Sequence, residues 1–181
     1  FETEAGDIYL KGESNTGSDD NYDYAHGIRL HESYGLSVLS QKGDITLEGR
    51  NTASTDPQSG ISLVTDANNA VSEYVDGNGD KGGANSASDP VNPDVPVILR
   101  TGGDGKVSLI AEGGGHNYYN ADGYNFRGAI LQLGATHYRN VGDTDYATPM
   151  EITGGTGGVL LEATHTKSTS SSQNYNGYGI Y

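Results

Sequence analysis

Three oxygen-bearing side chains stand at alternate positions in an acidic stretch of the chain, at Asp76, Asn78 and Asp80. The opening of a calcium-binding loop has the same alternation, because oxygens at every second residue can converge on one ion. The later positions differ: Lys81 takes the place of the usual glycine, and Ala87 stands where a bidentate Glu would close the site. A calcium site at Asp76, Asn78 and Asp80 and a flexible acidic turn are therefore both open interpretations.

Tyrosines form the second group of residues with a chemical use. The chain has 13 of them, and several stand beside asparagines in glycine-rich segments. A tyrosine ring packs on the C–H groups of a sugar, and a neighbouring amide binds its hydroxyls. The alternative is that the rings pack on each other or join neighbouring filaments. The candidate residues for glycan binding or filament contact are Tyr22, Tyr24, Tyr118, Tyr119, Tyr124 and Tyr175.

A polysaccharide-cleaving centre is the rival interpretation from another class of protein. Glycosidase chemistry needs two carboxyl groups held about 5–9.5 Å apart, and the spacing of the acidic residues predicts no such pair. The histidines at 26, 31, 116, 137 and 165 lack metal-ligand spacing. We therefore expect no enzyme and name no catalytic residue, with a polysaccharide-binding or polysaccharide-cleaving β-helix enzyme as the alternative.

Composition limits the classes of protein further. Only 33% of the residues are hydrophobic and 28 are glycine, which disfavours a conventional round core. The net charge of −14, with only 10 Lys and Arg, argues against nucleic acid and against an anionic membrane surface as partners. No apolar run approaches the roughly 20 residues that span a bilayer. The chain has no cysteine, a usage typical of large bacterial surface proteins rather than disulfide-rich secreted domains.

The elements that must position these residues are short strands that recur. Gly43 to Gly49 alternates apolar Ile45 and Leu47 with polar residues, which predicts a half-buried strand bounded by glycines. We call this strand type a. Type b follows it at Gly60-Ile61-Ser62-Leu63-Val64, and type c follows type b at Val97-Ile98-Leu99-Arg100-Thr101. The other copies are at 6–12, 105–111 and 158–163 for type a, 27–30, 128–133 and 179–181 for type b, and 35–39, 150–153 and 1–4 for type c.

Three strand types that return in one order predict a three-faced parallel β-solenoid. An antiparallel β-sandwich also has short strands, but it does not explain the fixed order. We expect residues 1–181 to form a single segment of about three and a third coils, with long variable loops and a loop insertion at 66–96. The residues expected to point inward are Ile8, Leu10, Ile28, Leu30, Leu36, Val38, Ile45, Leu47, Ile61, Leu63, Val97, Leu99, Val107, Leu109, Ala129, Leu131, Leu133, Ile152, Val159 and Leu161.

The Gly-Asp-Ile-Thr-Leu-x-Gly strand, followed by a polar loop and Gly-Ile-x-Leu, resembles the rod repeats of filamentous-haemagglutinin-like bacterial adhesins, which are exported by two-partner secretion. The closest match is at 43–63, and 6–30 is similar. The resemblance implies a right-handed parallel β-helix, secreted or at the cell surface, that serves as a structural or adhesive filament. Because the chain begins near a type c strand and stops in type b, we also expect further copies or a continuation of the same rod at each end. From the tyrosines we expect extracellular polysaccharide or a cell surface as possible partners of the loops. The resemblance implies no catalytic residue.

Overall fold

The computed structural model is all-β and describes residues 1–16, 26–30, 36–54, 57, 59–63, 97–114, 117–119, 125–127, 129–133, 150–166 and 178–180. Most of its strands form three parallel sheets of four strands each. Sheet a contains β2 (Ile8–Ser14), β5 (Ile45–Asn51), β8 (Lys106–Gly113) and β13 (Gly158–His165). Sheet b contains β3 (Ile28–Leu30), β6 (Ile61–Leu63), β11 (Ala129–Leu133) and β14 (Tyr178–Ile180). Sheet c contains β1 (Glu2–Thr3), β4 (Leu36–Ser40), β7 (Val97–Thr101) and β12 (Met150–Thr153).

The chain visits these sheets in a fixed order, from sheet c to sheet a to sheet b, and then begins again. We call one such passage a coil. Each strand pairs in parallel with its equivalent in the adjacent coil, so that Ile45 lies opposite Ile8 on one side and Val107 on the other. The predicted solenoid-like parallel arrangement is thus confirmed. The pairing in these three sheets is not that of an antiparallel sandwich.

Equivalent side chains of successive coils form columns inside the stack. One column consists of Leu10, Leu47, Leu109 and Leu161. Leu47 and Leu109 are fully buried and Leu10 is partly buried, whereas Leu161 is 38% exposed because no described strand covers the far side of β13. Burying one such side chain contributes about 1.5–3 kcal/mol. The other fully buried residues predicted to point inward are Val38, Ile45, Ile61, Leu63, Val97, Leu99, Val107 and Leu131.

Hydroxyl side chains at the ends of the sheet c strands hold the turn into sheet a. Thr3 Oγ1 accepts the Gly6 N–H at 3.1 Å. Ser40 Oγ accepts the Gly43 N–H at 2.8 Å and donates to the Gly6 carbonyl of the preceding coil at 3.1 Å. Thr101 Oγ1 donates to the Gly43 carbonyl at 2.5 Å. Thr3 and Ser40 thus accept a turn N–H at the same corner of two coils, and the hydroxyls of Ser40 and Thr101 join adjacent coils.

The connection from sheet a to sheet b requires two glycines that face each other. A Cβ on Gly60 would lie 2.5 Å from the carbonyl oxygen of Gly49, and a Cβ on Gly49 would collide with the carbonyl oxygen of Gly60. Neither backbone can move away without breaking its parallel ladder. This close approach explains why both strand types carry a glycine at this point of the motif.

The sheet a strands are longer than the motif predicts. The strand was expected to end at Gly49, but β5 continues to Asn51, which is fully buried. Asn51 Nδ2 donates to the Thr16 carbonyl at 3.2 Å, and its Oδ1 accepts the Ala53 N–H at 3.0 Å. Because these bonds compensate for burying the amide, a polar residue can continue the strand beyond the glycine.

More residues of sheet b are buried than the alternation of apolar and polar residues in its strands predicts. Ile130 was not expected to point inward, yet it is 4% exposed and belongs to the hydrophobic core. Ser62 and Gln132 lie opposite each other in β6 and β11 and are also buried. Both sides of sheet b are therefore covered at its centre, which the pattern of one strand cannot reveal. The described residues contain no helix long and apolar enough to cross a membrane.

Candidate functional site

The outer side of sheet a carries interacting side chains centred on Glu48. The Tyr9 hydroxyl donates a hydrogen bond to Glu48 Oε2. Lys11 Nζ lies 3.5 Å from Glu48 Oε1, and Arg50 Nε lies 3.1 Å from the same oxygen. Arg50 Nε also lies 3.5 Å from Glu112 Oε2. These five residues, the Glu48 cluster, come from β2, β5 and β8 and so connect three consecutive coils.

The contacts within the Glu48 cluster stabilise the ionised carboxylate of Glu48 and the neutral hydroxyl of Tyr9, the forms present at neutral pH. The hydrogen bond from Tyr9, assisted by the charges of Lys11 and Arg50, lowers the pKa of Glu48. The hydrogen bond to Glu48 raises the pKa of Tyr9. A general acid or base works best with a pKa near the operating pH. The pKa of Glu48 and the pKa of Tyr9 are each shifted further from neutral pH. The arrangement is suited to holding coils together rather than to transferring protons.

A second charged contact lies on sheet c. Arg100 binds Glu151 in a bidentate manner, with Nε 2.6 Å from Oε1 and Nη2 2.6 Å from Oε2. Thr153 Oγ1 donates to Glu151 Oε1 at 3.2 Å. The hydrogen bonds of this pair raise the pKa of Arg100 and lower the pKa of Glu151. Since Arg100 belongs to β7 and Glu151 to β12, this pair also connects adjacent coils.

The candidate calcium ligands Asp76, Asn78 and Asp80 lie outside the described residues. In the part of the chain that the structure describes, no group of three or more His, Cys, Asp or Glu is arranged to hold a metal ion. The calcium site therefore stays a prediction.

The candidate tyrosines fall mainly outside the described residues. Tyr118 and Tyr119 belong to β9 (Asn117–Tyr119), which pairs antiparallel with β10 (Asn125–Arg127) in a segment expected to be a loop. This pair lies between β8 and β11 in the chain, and only its backbone is described. Ligand binding there stays a prediction. The candidates outside the described residues are Tyr22, Tyr24, Tyr124 and Tyr175.

The Glu48 cluster was not recognised from the sequence. Its signal was nevertheless present, because aligning 6–12 with 43–49 places Lys11 opposite Glu48 at an outward position. Opposite charges at one position of two repeats indicate a contact between adjacent coils. The hydrogen bond from Tyr9 to Glu48 is diagonal, since Tyr9 lies opposite Thr46. A repeat alignment alone does not predict it.

The last coil exposes apolar side chains at inward positions. Val159, Leu161 and Ile180 are 45%, 38% and 44% exposed, although the residues opposite them in the preceding coil, Val107, Leu109 and Leu131, are fully buried. Alternate backbone groups of a parallel edge strand point away from its partner.

Comparison with protein-family models, with curated proteins and with solved structures finds no match to this chain.

Proposed function

We propose that this chain is a segment of a right-handed parallel β-helix that serves as a structural or adhesive rod outside the cell, of the filamentous-haemagglutinin-like type. The observation that carries the proposal is the return of the same three sheets, in the same order and register, in successive coils. Such a stack grows along one axis, by about 4.8 Å for each coil. The right hand is the general preference, since about 98% of crossovers between parallel strands of one sheet are right-handed.

The contacts between coils support a load-carrying role. Hydroxyls at the turn into sheet a, the Glu48 cluster on sheet a and the Arg100–Glu151 pair on sheet c each connect residues of different coils. They supplement the backbone ladders and the buried columns. A net charge of −14 keeps such a segment hydrated.

Recognition belongs to the connections between the strands rather than to the strands themselves. The strands' inward side chains form the core, and the characterised outward charges bind one another. The tyrosines of the connections from sheet a to sheet b are candidates for binding extracellular polysaccharide or a cell surface. The ends of the stack take further coils of the same kind.

Electron microscopy and glycan binding test this proposal together. We expect negative stain of the native material to show long, thin filaments, and immobilised extracellular polysaccharides to retain the chain. Changing Tyr118, Tyr119 and Tyr124 together to Ser should abolish retention. Tyr9→Ser, which removes an exposed tyrosine from the Glu48 cluster, is the matched control and should retain binding.

Three results would count against the proposed function. Discrete globules in the native material would contradict the rod, and equal retention of the triple variant and the wild type would contradict recognition by these tyrosines. New reducing ends or unsaturated products after incubation with a polysaccharide would favour the polysaccharide-cleaving alternative.

A further inference from the structure

Tyr9 holds its hydroxyl against a carboxylate on the outer side of sheet a. The hydroxyl donates a hydrogen bond to Glu48 Oε2 of the adjacent coil, while the side chain is 56% exposed. Because side chains alternate along a strand, Tyr9 points outward between Ile8 and Leu10, which pack against the core. Access to the ring therefore comes from the outer side of the sheet rather than from the edge of β2.

The same contacts favour the loss of an electron and a proton from Tyr9 together. A phenol that has lost one electron is a far stronger acid than any carboxylic acid, so its proton passes to a hydrogen-bonded carboxylate. The hydrogen bond from Tyr9 lowers the pKa of Glu48, and the charges of Lys11 and Arg50 add to this effect. The carboxylate is therefore ionised at neutral pH and can accept that proton, which makes the oxidation of the ring easier.

The Glu48 cluster is also a surface on which two copies of the chain can meet. Lys11 and Arg50 carry two positive charges, and their partners Glu48 and Glu112 carry two negative ones. These charges balance, whereas the whole chain has a net charge of −14, so two acidic chains repel each other least here. A two-fold contact uses the same patch on both copies and brings the cations of one cluster to the carboxylates of the other.

We propose that Tyr9 is an oxidation site at which two copies of this chain are joined side by side through a dityrosine bond. The oxidising system is hydrogen peroxide with a haem peroxidase. This joint goes beyond the proposed function, because it depends on the contacts of Tyr9 and not on the growth of a rod or on the binding of polysaccharide.

The coupling reaction uses one Tyr9 from each of two chains. In each chain the oxidant removes one electron from the ring while the hydroxyl proton moves to Glu48, which leaves a neutral phenoxyl radical. The two radicals form a C–C bond between their Cε carbons, and the hydrogen on each bonded carbon moves to the oxygen of its own ring, which restores both phenols. Each Glu48 releases its proton to water. Two electrons and two protons leave the pair, and hydrogen peroxide takes them up to give two molecules of water.

Peptide mapping after oxidation tests the proposal on the 181-residue chain. The chain is treated with a haem peroxidase and hydrogen peroxide, digested with trypsin and analysed by mass spectrometry. Trypsin cleaves after Lys11, and Tyr9 is the one tyrosine of peptide 1–11. We expect a covalent dimer, fluorescent as dityrosine is, whose main cross-link joins two copies of peptide 1–11. Tyr9→Phe keeps the ring and should lose most of the covalent dimer.

Glu48→Gln tests the role of the carboxylate as proton acceptor. The amide oxygen can still accept a hydrogen bond from the Tyr9 hydroxyl, but it does not take up the proton. We expect the coupling of Tyr9 to slow about 100-fold, at the lower end of what a positioned proton acceptor contributes. Glu13→Gln removes the same charge from an exposed position of β2 and should couple at the rate of the wild type. Circular dichroism of each variant confirms that the sheets persist.

The outcomes separate the dityrosine joint from the proposed function. Cross-links that map to other tyrosines, with peptide 1–11 recovered unmodified, would overturn the joint. Equal rates of Tyr9 coupling in Glu48→Gln and the wild type would overturn it as well, and both results leave the rod and its polysaccharide binding intact. Conversely, a chain that binds no polysaccharide but yields the paired peptide 1–11 contradicts the adhesive role and supports the joint.

Discussion

Asp44 Oδ1 accepts a hydrogen bond of 2.8 Å from the backbone N–H of Lys106, one coil further along the stack. Asp7 Oδ1 accepts the N–H of Asp44 with the same length. Each aspartate thus adds one hydrogen bond to the parallel ladder at the point where sheet a begins. This contact gives a physical reason for the Asp of the Gly-Asp-Ile motif.

Removing the Asp44 carboxylate should lower the free energy of unfolding by the amount that one hydrogen bond contributes. Asp44→Ala is expected to lower the free energy of unfolding by about 1 kcal/mol. Asp44→Asn should cost less, because the amide oxygen can still accept the Lys106 N–H. Urea denaturation measures both values. If the two substitutions have equal and negligible effects, the hydrogen bond does not contribute to stability.

The leucine column allows one substitution to be compared in two environments. Leu47→Ala should cost about 2–5 kcal/mol, since the side chain is fully buried. Leu161→Ala removes the same atoms from the same column and should cost clearly less in the monomer, because Leu161 is already partly exposed. Urea denaturation of both variants makes the comparison. Equal losses would contradict an open last coil.

The facing glycines predict a steric effect. Gly49→Ala should lower the free energy of unfolding by about 1–3 kcal/mol, since its Cβ collides with the Gly60 backbone. Gly179→Ala is the control, because the nearest atom to its new Cβ is 4.0 Å away. Thermal unfolding followed by circular dichroism compares them. A near-neutral Gly49→Ala would mean that the two strands can separate at this corner.

The Glu48 cluster predicts how stability depends on pH. The pKa of Glu48 is lowered from 4.5, so its stabilising contribution is complete above that pH and is lost as the pH falls through the lower folded value. The pKa of Tyr9 is raised from 10.0, so its contribution is complete below pH 10.0 and is lost as the pH rises through the higher folded value.

Unfolding measured from acidic to alkaline pH checks both limits. Glu48→Gln should flatten the acidic part of the profile, because the residue no longer titrates. Glu4→Gln, at an exposed position in the first coil, controls for the loss of one carboxylate. An acidic profile that is unchanged by Glu48→Gln would show that the pair with Tyr9 does not stabilise the folded chain.

Alternation and recurrence were sufficient to predict the parallel sheets and most of the core. Ile45 and Leu47 are apolar at every second position and recur in each coil, so their burial follows from a property of a single strand. The extension of β5 to Asn51 and the burial of Ile130 did not follow. Both depend on neighbours distant in sequence, which the local pattern does not contain.

The sequence by itself determined the order of the strands, the side of each that faces inward and the glycines of the corners, because these are repeated within the chain. Only the tertiary structure decided which side chains meet between coils. The distances from Asp44 to Lys106 and from Arg50 to Glu48 and Glu112 depend on the register of strands separated by long connections. The structure also decided that Val159 and Leu161 are exposed, because their burial requires a further coil, which no pattern within their own strand can supply.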